Sequence, residues 1–123
     1  MQITDNFNTS EFECNDGSKM PDKVLVNIKE LAKYLQVIRN IVCVPITINS
    51  AYRSILHNKA VGGAKNSYHV KGMAADITIE GLTPKKVHTL LLDLIKEGKI
   101  SEGGLGLYNS FVHYDFRGTK ARW

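Results

Sequence analysis

His69 and Asp76 stand seven residues apart in the run Ser67-Tyr68-His69-Val70-Lys71-Gly72-Met73-Ala74-Ala75-Asp76-Ile77-Thr78-Ile79. A neutral imidazole and a carboxylate oxygen are ordinary zinc ligands. A catalytic zinc takes three protein ligands and keeps its fourth position for water. The good downstream candidate for the third ligand is His113, in the alternating segment Phe111-Val112-His113-Tyr114-Asp115-Phe116-Arg117-Gly118. Asp76 is the sharper clue, because an ionised carboxylate inside an apolar, strand-like run is costly unless it is paired or bound to a metal. His113 and Asp115 lie two apart on a strand and share a face, opposite Val112, Tyr114 and Phe116. Two polar groups on one face of an apolar hairpin suggest the lining of a cleft. A salt-bridge cluster, Asp76 or Asp115 with Arg53 or Arg117, accounts for the same residues equally well at this level. Of the other histidines, His88 falls among lysines on a helix and reads as solvated. His57 falls in a loop and is not expected to hold metal.

The elements that must position these side chains follow from periodicity. Residues 1–20 read as an irregular entry segment, with Asn6, Asn8, Asn15, Asp16 and Gly17 supplying turn chemistry and Phe7 and Phe12 as apolar anchors. Pro21-Asp22 opens a helix, and Val24, Ile28, Leu31, Leu35, Ile38 and Val42 follow at gaps of four and three as one apolar stripe. Residues 44–50 are β-branched and alternating, a short strand that runs out into Ala51-Tyr52-Arg53-Ser54. From there to Ser67 the chain reads as a loop with room for one helical turn over 54–60. Residues 73–79 form the strand that carries Asp76. Thr83-Pro84 caps a second amphipathic helix that stops near Gly98. A glycine-rich strand over 103–108 and a strand over 111–116 close a hairpin. The expected fold class is α+β, a small antiparallel sheet packed against two main helices.

The bulk properties fit one domain spanning residues 1–123. A hydrophobic content of 43% and a charged content of 23% argue against a disordered chain. No apolar run approaches the roughly 20 residues that a membrane helix needs. The polar, acidic start does not read as a secretory signal. The formal charge of +4 and an isoelectric point near 9.1 favour anionic partners in a general way. Nucleic acid is not expected among them, since zinc-finger spacing and ribonucleoprotein aromatics are both missing. Cys14 and Cys43 are expected as free thiols, and neither forms the Cys-x-x-Cys pair of a metal knuckle.

Taken together, Ser50-Ala51-Tyr52-Arg53-Ser54, Gly62-Gly63, Ser67-x-His69-x-x-Gly72-x-Ala74-x-Asp76 and Phe111-Val112-His113-x-Asp115-x-Arg117-Gly118 resemble the D-Ala-D-Ala carboxypeptidase-type zinc peptidases. These belong to the group that joins lysostaphin, the D-Ala-D-Ala metallopeptidases and the hedgehog amino-terminal domain. Ser10-Glu11-Phe12-x-Cys14 is similar to the start of the short, single-domain, often phage-associated branch. The resemblance implies one zinc ion held by His69, Asp76 and His113. It implies Arg53 as a substrate and oxyanion group, and Ser67 and Tyr52 beside it as substrate-binding residues. In better-known members an acid three residues before the last histidine, or a histidine two before it, serves as general base. Here those positions are Ser110 and Phe111. Asp115 is then the candidate base, with orientation of a ligand imidazole as its alternative role.

The implied function is zinc-dependent hydrolysis of peptide bonds in bacterial peptidoglycan, with D,D-carboxypeptidase, L,D-carboxypeptidase and endopeptidase activities all open. Stem peptides are the expected partners and a monomer the expected state. The expected setting is a wall hydrolase or phage endolysin, cytoplasmic until release or carried on a virion. The rival is a non-catalytic module that keeps zinc while binding cell wall or protein.

Overall fold

The stripe on the first long helix lands as its spacing requires. In the computed structural model, which describes residues 1–123, Val24, Ile28, Leu31, Leu35 and Ile38 are all buried along α1 (Asp22–Val42). Cys43 ends the helix in the left-handed conformation at φ 58°, its amide donating to the Arg39 carbonyl. Ahead of α1 the entry segment is more regular than its composition suggests. β1 (Gln2–Thr4) and β2 (Phe7–Asn8) pair as a small hairpin, and a 3-10 turn follows over Thr9–Phe12. Asn8 and Glu11 cap that turn reciprocally. Phe7 on β2 and Phe12 at the end of the turn are buried, their rings edge to face at 6.1 Å.

β3 (Ile46–Ser50), α2 (Ile55–Ala60), β4 (Ala74–Ile79), α3 (Pro84–Lys96), β5 (Gly104–Leu107), β6 (Val112–Asp115) and β7 (Ala121–Arg122) complete the chain. The sheet order is β3-β4-β6-β5-β7. Its first four strands are antiparallel, as expected, but β7 joins the edge parallel to β5, so the sheet is mixed. Two residues at the chain's end carry no periodicity from which that strand could be read. The helical turn allowed over 54–60 is a real helix, α2, whose Ser54 side chain accepts from the His57 amide.

Alternation divides the central strands. Ala75, Ile77, Ile79, Val112 and Tyr114 turn inward and join α1, α3 and the entry segment in one core of 23 buried residues. Tyr34 on α1 packs edge-on against Tyr114 at 6.5 Å. Asp76, His113 and Asp115 take the opposite face. Period two thus puts three polar side chains together while their neighbours build the core.

The turn between His69 and Asp76 rests on α1. Gly72 has φ +75°, and a Cβ there would come within 2.7 Å of Val24 Cγ1 and 3.0 Å of the Val24 carbonyl oxygen. Gly81 has φ +79° but open space around it. Gly81→Ala is expected to cost about 1 kcal/mol, the left-handed penalty alone. Gly72→Ala adds a clash with a packed helix and is expected to cost roughly 2–4 kcal/mol. Urea unfolding of the two variants side by side checks this; equal midpoints would show that the turn does not lean on α1.

Candidate metal centre and cleft

Register brings the candidate ligands together. Asp76 on β4 lies directly across from His113 on β6, and on its other side from Ser50 of β3. His69 comes from the turn before β4, where the Ser67 hydroxyl accepts from the His69 amide at 3.1 Å. Its ring Nε2 stands 3.2 Å from Asp76 Oδ1, and His113 Nδ1 stands 3.1 Å from the same oxygen. The three ligand atoms lie within 4.8 Å of one another, and all three residues are buried.

The outer nitrogens decide what the inner ones carry. His69 Nδ1 is 2.7 Å from the Ala51 carbonyl oxygen, which can only accept, so Nδ1 holds the proton. His113 Nε2 is 2.7 Å from Asp115 Oδ2 and donates to it. In the neutral imidazoles the inner nitrogens therefore present lone pairs, and both face a carboxylate oxygen. Three acceptors pointing at one place repel unless a cation or added protons lie between them. Burial alone would raise the Asp76 pKa, but where the imidazoles carry added protons their hydrogen bonds and charge, from His113 and His69, outweigh it and hold it at about 2. Burial would likewise lower the pKa of His113, yet Asp115 and Asp76, one at each ring nitrogen, favour the protonated ring and raise it. This donor set, two imidazoles and one carboxylate with a cleft on the open side, fits zinc.

Arg53 follows β3, and its backbone amide donates to the His69 carbonyl at 3.0 Å. Its guanidinium reaches Ser50 Oγ at 3.3 Å, Asn58 Oδ1 at 3.2 Å and Asp76 Oδ2 at 3.4 Å. Of its five N–H groups, two remain free to meet a ligand in the cleft. Asn58, buried on α2, also donates to the Ala64 carbonyl and so holds both the arginine and the loop. Both halves of the salt-bridge reading are present, Arg53 with Asp76 and Arg117 with Asp115, alongside the ligand geometry.

Asp115 does not fit the role of base. It is fully buried, and five donors reach its two oxygens: Gly104 N, Arg117 N and Arg117 Nε on Oδ1, Arg117 Nη2 and His113 Nε2 on Oδ2. A carboxylate offers about four lone-pair sites, so none is left for a water. Burial opposes its ionisation, but Arg117, His113 and the Gly104 amide together hold it well below the usual carboxylate range. Moreover it sits behind His113, on the side away from Asp76. The glycine-rich strand explains the close seat: a Cβ on Gly104 would fall 2.2 Å from Asp115 Oδ2. Arg117 in turn stacks on the Tyr68 ring, 4.2 Å from its centroid.

The cleft has a volume of ≈ 550 Å³, and Arg53, Ser67, Tyr68, Tyr108, Trp123 and the three candidate ligands are among those lining it. Tyr52 is not among them. Its side chain turns to a different groove beside Val24 and Val70, and its amide ties β3 to the entry segment through the Phe12 carbonyl. Motif adjacency to Arg53 suggested a substrate contact, but successive residues of an extended segment point opposite ways. Trp123 and Tyr108 were not anticipated. The indole lies 4.9 Å from the His113 ring, and its Nε1 donates to the Tyr108 hydroxyl at 2.7 Å. An aromatic close to the end of a basic tail carries no positional signal in the sequence. Asn58, on the turn that the sequence allows over 54–60, carries no signal of its contact with Arg53 either, because that contact is made only in the fold.

A family model described as Peptidase M15 matches residues 4–115, and the chain belongs to that family. Among curated proteins, peptidoglycan L,D-endopeptidase MepK of Escherichia coli (strain K12) is 36% identical over 86 residues, 64% of this chain and 43% of that protein. The protein of the same name from Shigella flexneri matches to the same extent. Zinc D-Ala-D-Ala carboxypeptidase of Streptomyces albus G is 54% identical over 33 residues, 27% of this chain and 13% of that protein. The chain spans less than half the length of these relatives.

Partners that fix the tautomer of a ligand imidazole are typically worth 10- to 100-fold in metal affinity. Asp115→Asn leaves one acceptor oxygen for five donors, sets an NH2 against the others, and so weakens the hold on His113 Nε2. The variant is expected to bind zinc roughly 10- to 100-fold more weakly, measured by competition with a chromophoric chelator. Unchanged affinity would show that Asp115 does not position His113.

Proposed function

We propose that the chain is a zinc-dependent peptidase that cleaves a peptide bond in bacterial peptidoglycan. The observation that carries the reading is the convergence of His69 Nε2, Asp76 Oδ1 and His113 Nδ1, with both outer ring nitrogens already committed. Membership of a peptidase family supports it, as do relatives named for peptidoglycan endopeptidase and D-Ala-D-Ala carboxypeptidase activity. A zinc ion held by these three residues supplies a Lewis acid and a water acidified towards neutrality.

The protein's own groups account for the rest. Arg53 offers two free N–H groups beside Asp76, in fork geometry that suits a terminal carboxylate of a stem peptide or the oxyanion of a tetrahedral intermediate. Asp115 and Arg117 hold His113 in one tautomer and one orientation. Ser67 fixes the turn that presents His69. Tyr68 and the Tyr108–Trp123 pair wall the cleft and narrow the approach of water. With zinc bound, Asp76 and Arg53 leave the cleft floor positively charged, which favours an anionic peptide. The cleft is large enough for several residues of a stem, so endopeptidase and carboxypeptidase cleavage both fit it.

The non-catalytic reading keeps one specific support. Among the groups lining the cleft the sole carboxylate is Asp76, itself a ligand, so no side-chain base of the usual kind faces the open position.

Zinc analysis and turbidity clearing of purified peptidoglycan, wild type beside His69→Ala, test the proposal. Clearing with release of stem peptides, abolished by His69→Ala together with the zinc of this site, is the expected result, and mass spectrometry of the products names the bond. Zinc without turnover on any wall type would favour the binding module. Arg53→Lys keeps the charge but loses the fork, and is expected to lower kcat/KM by roughly 10²- to 10³-fold while zinc content is unchanged. Full activity in that variant would remove Arg53 from the mechanism.

A further inference from the structure

A second set of metal-type donors lies outside the cleft. Cys14 Sγ, a carboxylate oxygen of Asp16 and a ring nitrogen of His57 all lie within 4.8 Å of one another. They come from two segments, a Cys-x-Asp turn that ends the entry segment and the first turn of α2, whose capping residue is Ser54. Cys14 is buried, His57 half-buried and Asp16 exposed, so the group is partly open to solvent. Its sulfur accepts from the Ser54 amide at 3.4 Å, a contact that suits a thiolate. Asp16 is held by the Ser54 hydroxyl at 2.8 Å and the Ser18 amide at 2.8 Å, which fixes its carboxylate beside the sulfur. Neither ring nitrogen of His57 makes a hydrogen bond within the protein, which leaves one of them available as a ligand. No function described for the cleft uses any of these residues.

We infer that Cys14, Asp16 and His57 form a second, structural metal site for zinc or a similar thiophilic divalent cation. The fourth position falls to water or the Ser54 hydroxyl. Thiolate, imidazole and carboxylate are the donors that zinc takes, and a mixed set needs no Cys-x-x-Cys pair. On binding, Cys14 gives up its thiol proton to solvent and no other bond is broken. The ion cross-links the entry segment to α2, and α2 carries Asn58, the side chain that holds Arg53. The site therefore staples the segment that presents the cleft arginine, and it stands whether or not the cleft hydrolyses peptidoglycan.

Metal stoichiometry and cobalt spectroscopy on the full chain test this. Protein stripped with chelator and titrated with zinc chloride is expected to take up two equivalents, falling to one in Cys14→Ser and to one in His69→Ala, by loss of different sites. With cobalt(II), a thiolate-to-metal charge-transfer band is expected in the wild type, in His69→Ala and in Cys43→Ser, and is expected to vanish in Cys14→Ser. Should Cys14→Ser fail to fold, His57→Ala, whose ring makes no hydrogen bond within the protein, is expected to lose one equivalent and weaken the band. A single equivalent in the wild type that His69→Ala removes, no charge-transfer band, a band lost in Cys43→Ser, or two equivalents retained in His57→Ala would each overturn the inference. Loss of peptidoglycan turnover alone would bear on the cleft and leave this site standing.

Discussion

Three acceptors forced to share one point are the constraint on which this structure turns. The Ala51 carbonyl and the Asp115 carboxylate take the outer protons of His69 and His113, and the inner lone pairs then meet the Asp76 carboxylate. Such a cluster is tolerable only with positive charge at its centre. Protons can serve, but a divalent cation satisfies all three donors at once and leaves a position open to the cleft. Apolar packing alone would not hold that arrangement, because desolvated carboxylates and imidazoles gain nothing from it. Directional hydrogen bonds from the surrounding backbone and from Arg117 hold it instead.

The sheet makes those bonds possible. Placing Asp76 opposite His113 across an antiparallel ladder fixes their separation without any loop. The next pair of positions along β6 puts Asp115 behind His113, and Gly104 on the neighbouring strand gives it room. Below the sheet, Ala75, Ile77, Val112 and Tyr114 bury the other face in the shared core. A slip of one residue between β4 and β6 would exchange the two faces, putting the polar triad into the core and the core residues into the cleft. Hydrophobic burial thereby enforces the register that the chemistry needs.

Arg53 and Asp115 illustrate two ways of using a charge. Arg53 spends three of its donors on Ser50, Asn58 and Asp76 at distances of 3.2–3.4 Å, loose enough to leave it responsive to a ligand. Asp115 is held at 2.7 Å by two donors on Oδ2 and at 2.9 Å by two on Oδ1, and is removed from solvent altogether. The first keeps donors in reserve; the second is a fixed strut. Their difference follows from burial and the number of donors around each, which residue type alone does not reveal.

Local pattern by itself determined a good deal of this protein. The four-and-three stripe marked α1, Thr83-Pro84 marked the start of α3, and alternation put His113 and Asp115 on one face, because each of these depends on neighbours a few residues away. The resemblance of the His69, Asp76 and His113 motifs placed the chain in its family, which the match over residues 4–115 shows. Tertiary structure alone decided the rest. That Asp115 is enclosed by Gly104 and Arg117 depends on the pairing of β5 with β6 and on a loop beyond it. Tyr52 faces away from the cleft, and Trp123 lies over His113, through strand edges that no local pattern encodes. Cys14, Asp16 and His57 meet across about 40 residues of chain, a distance over which spacing carries no signal and only the packed fold sets proximity.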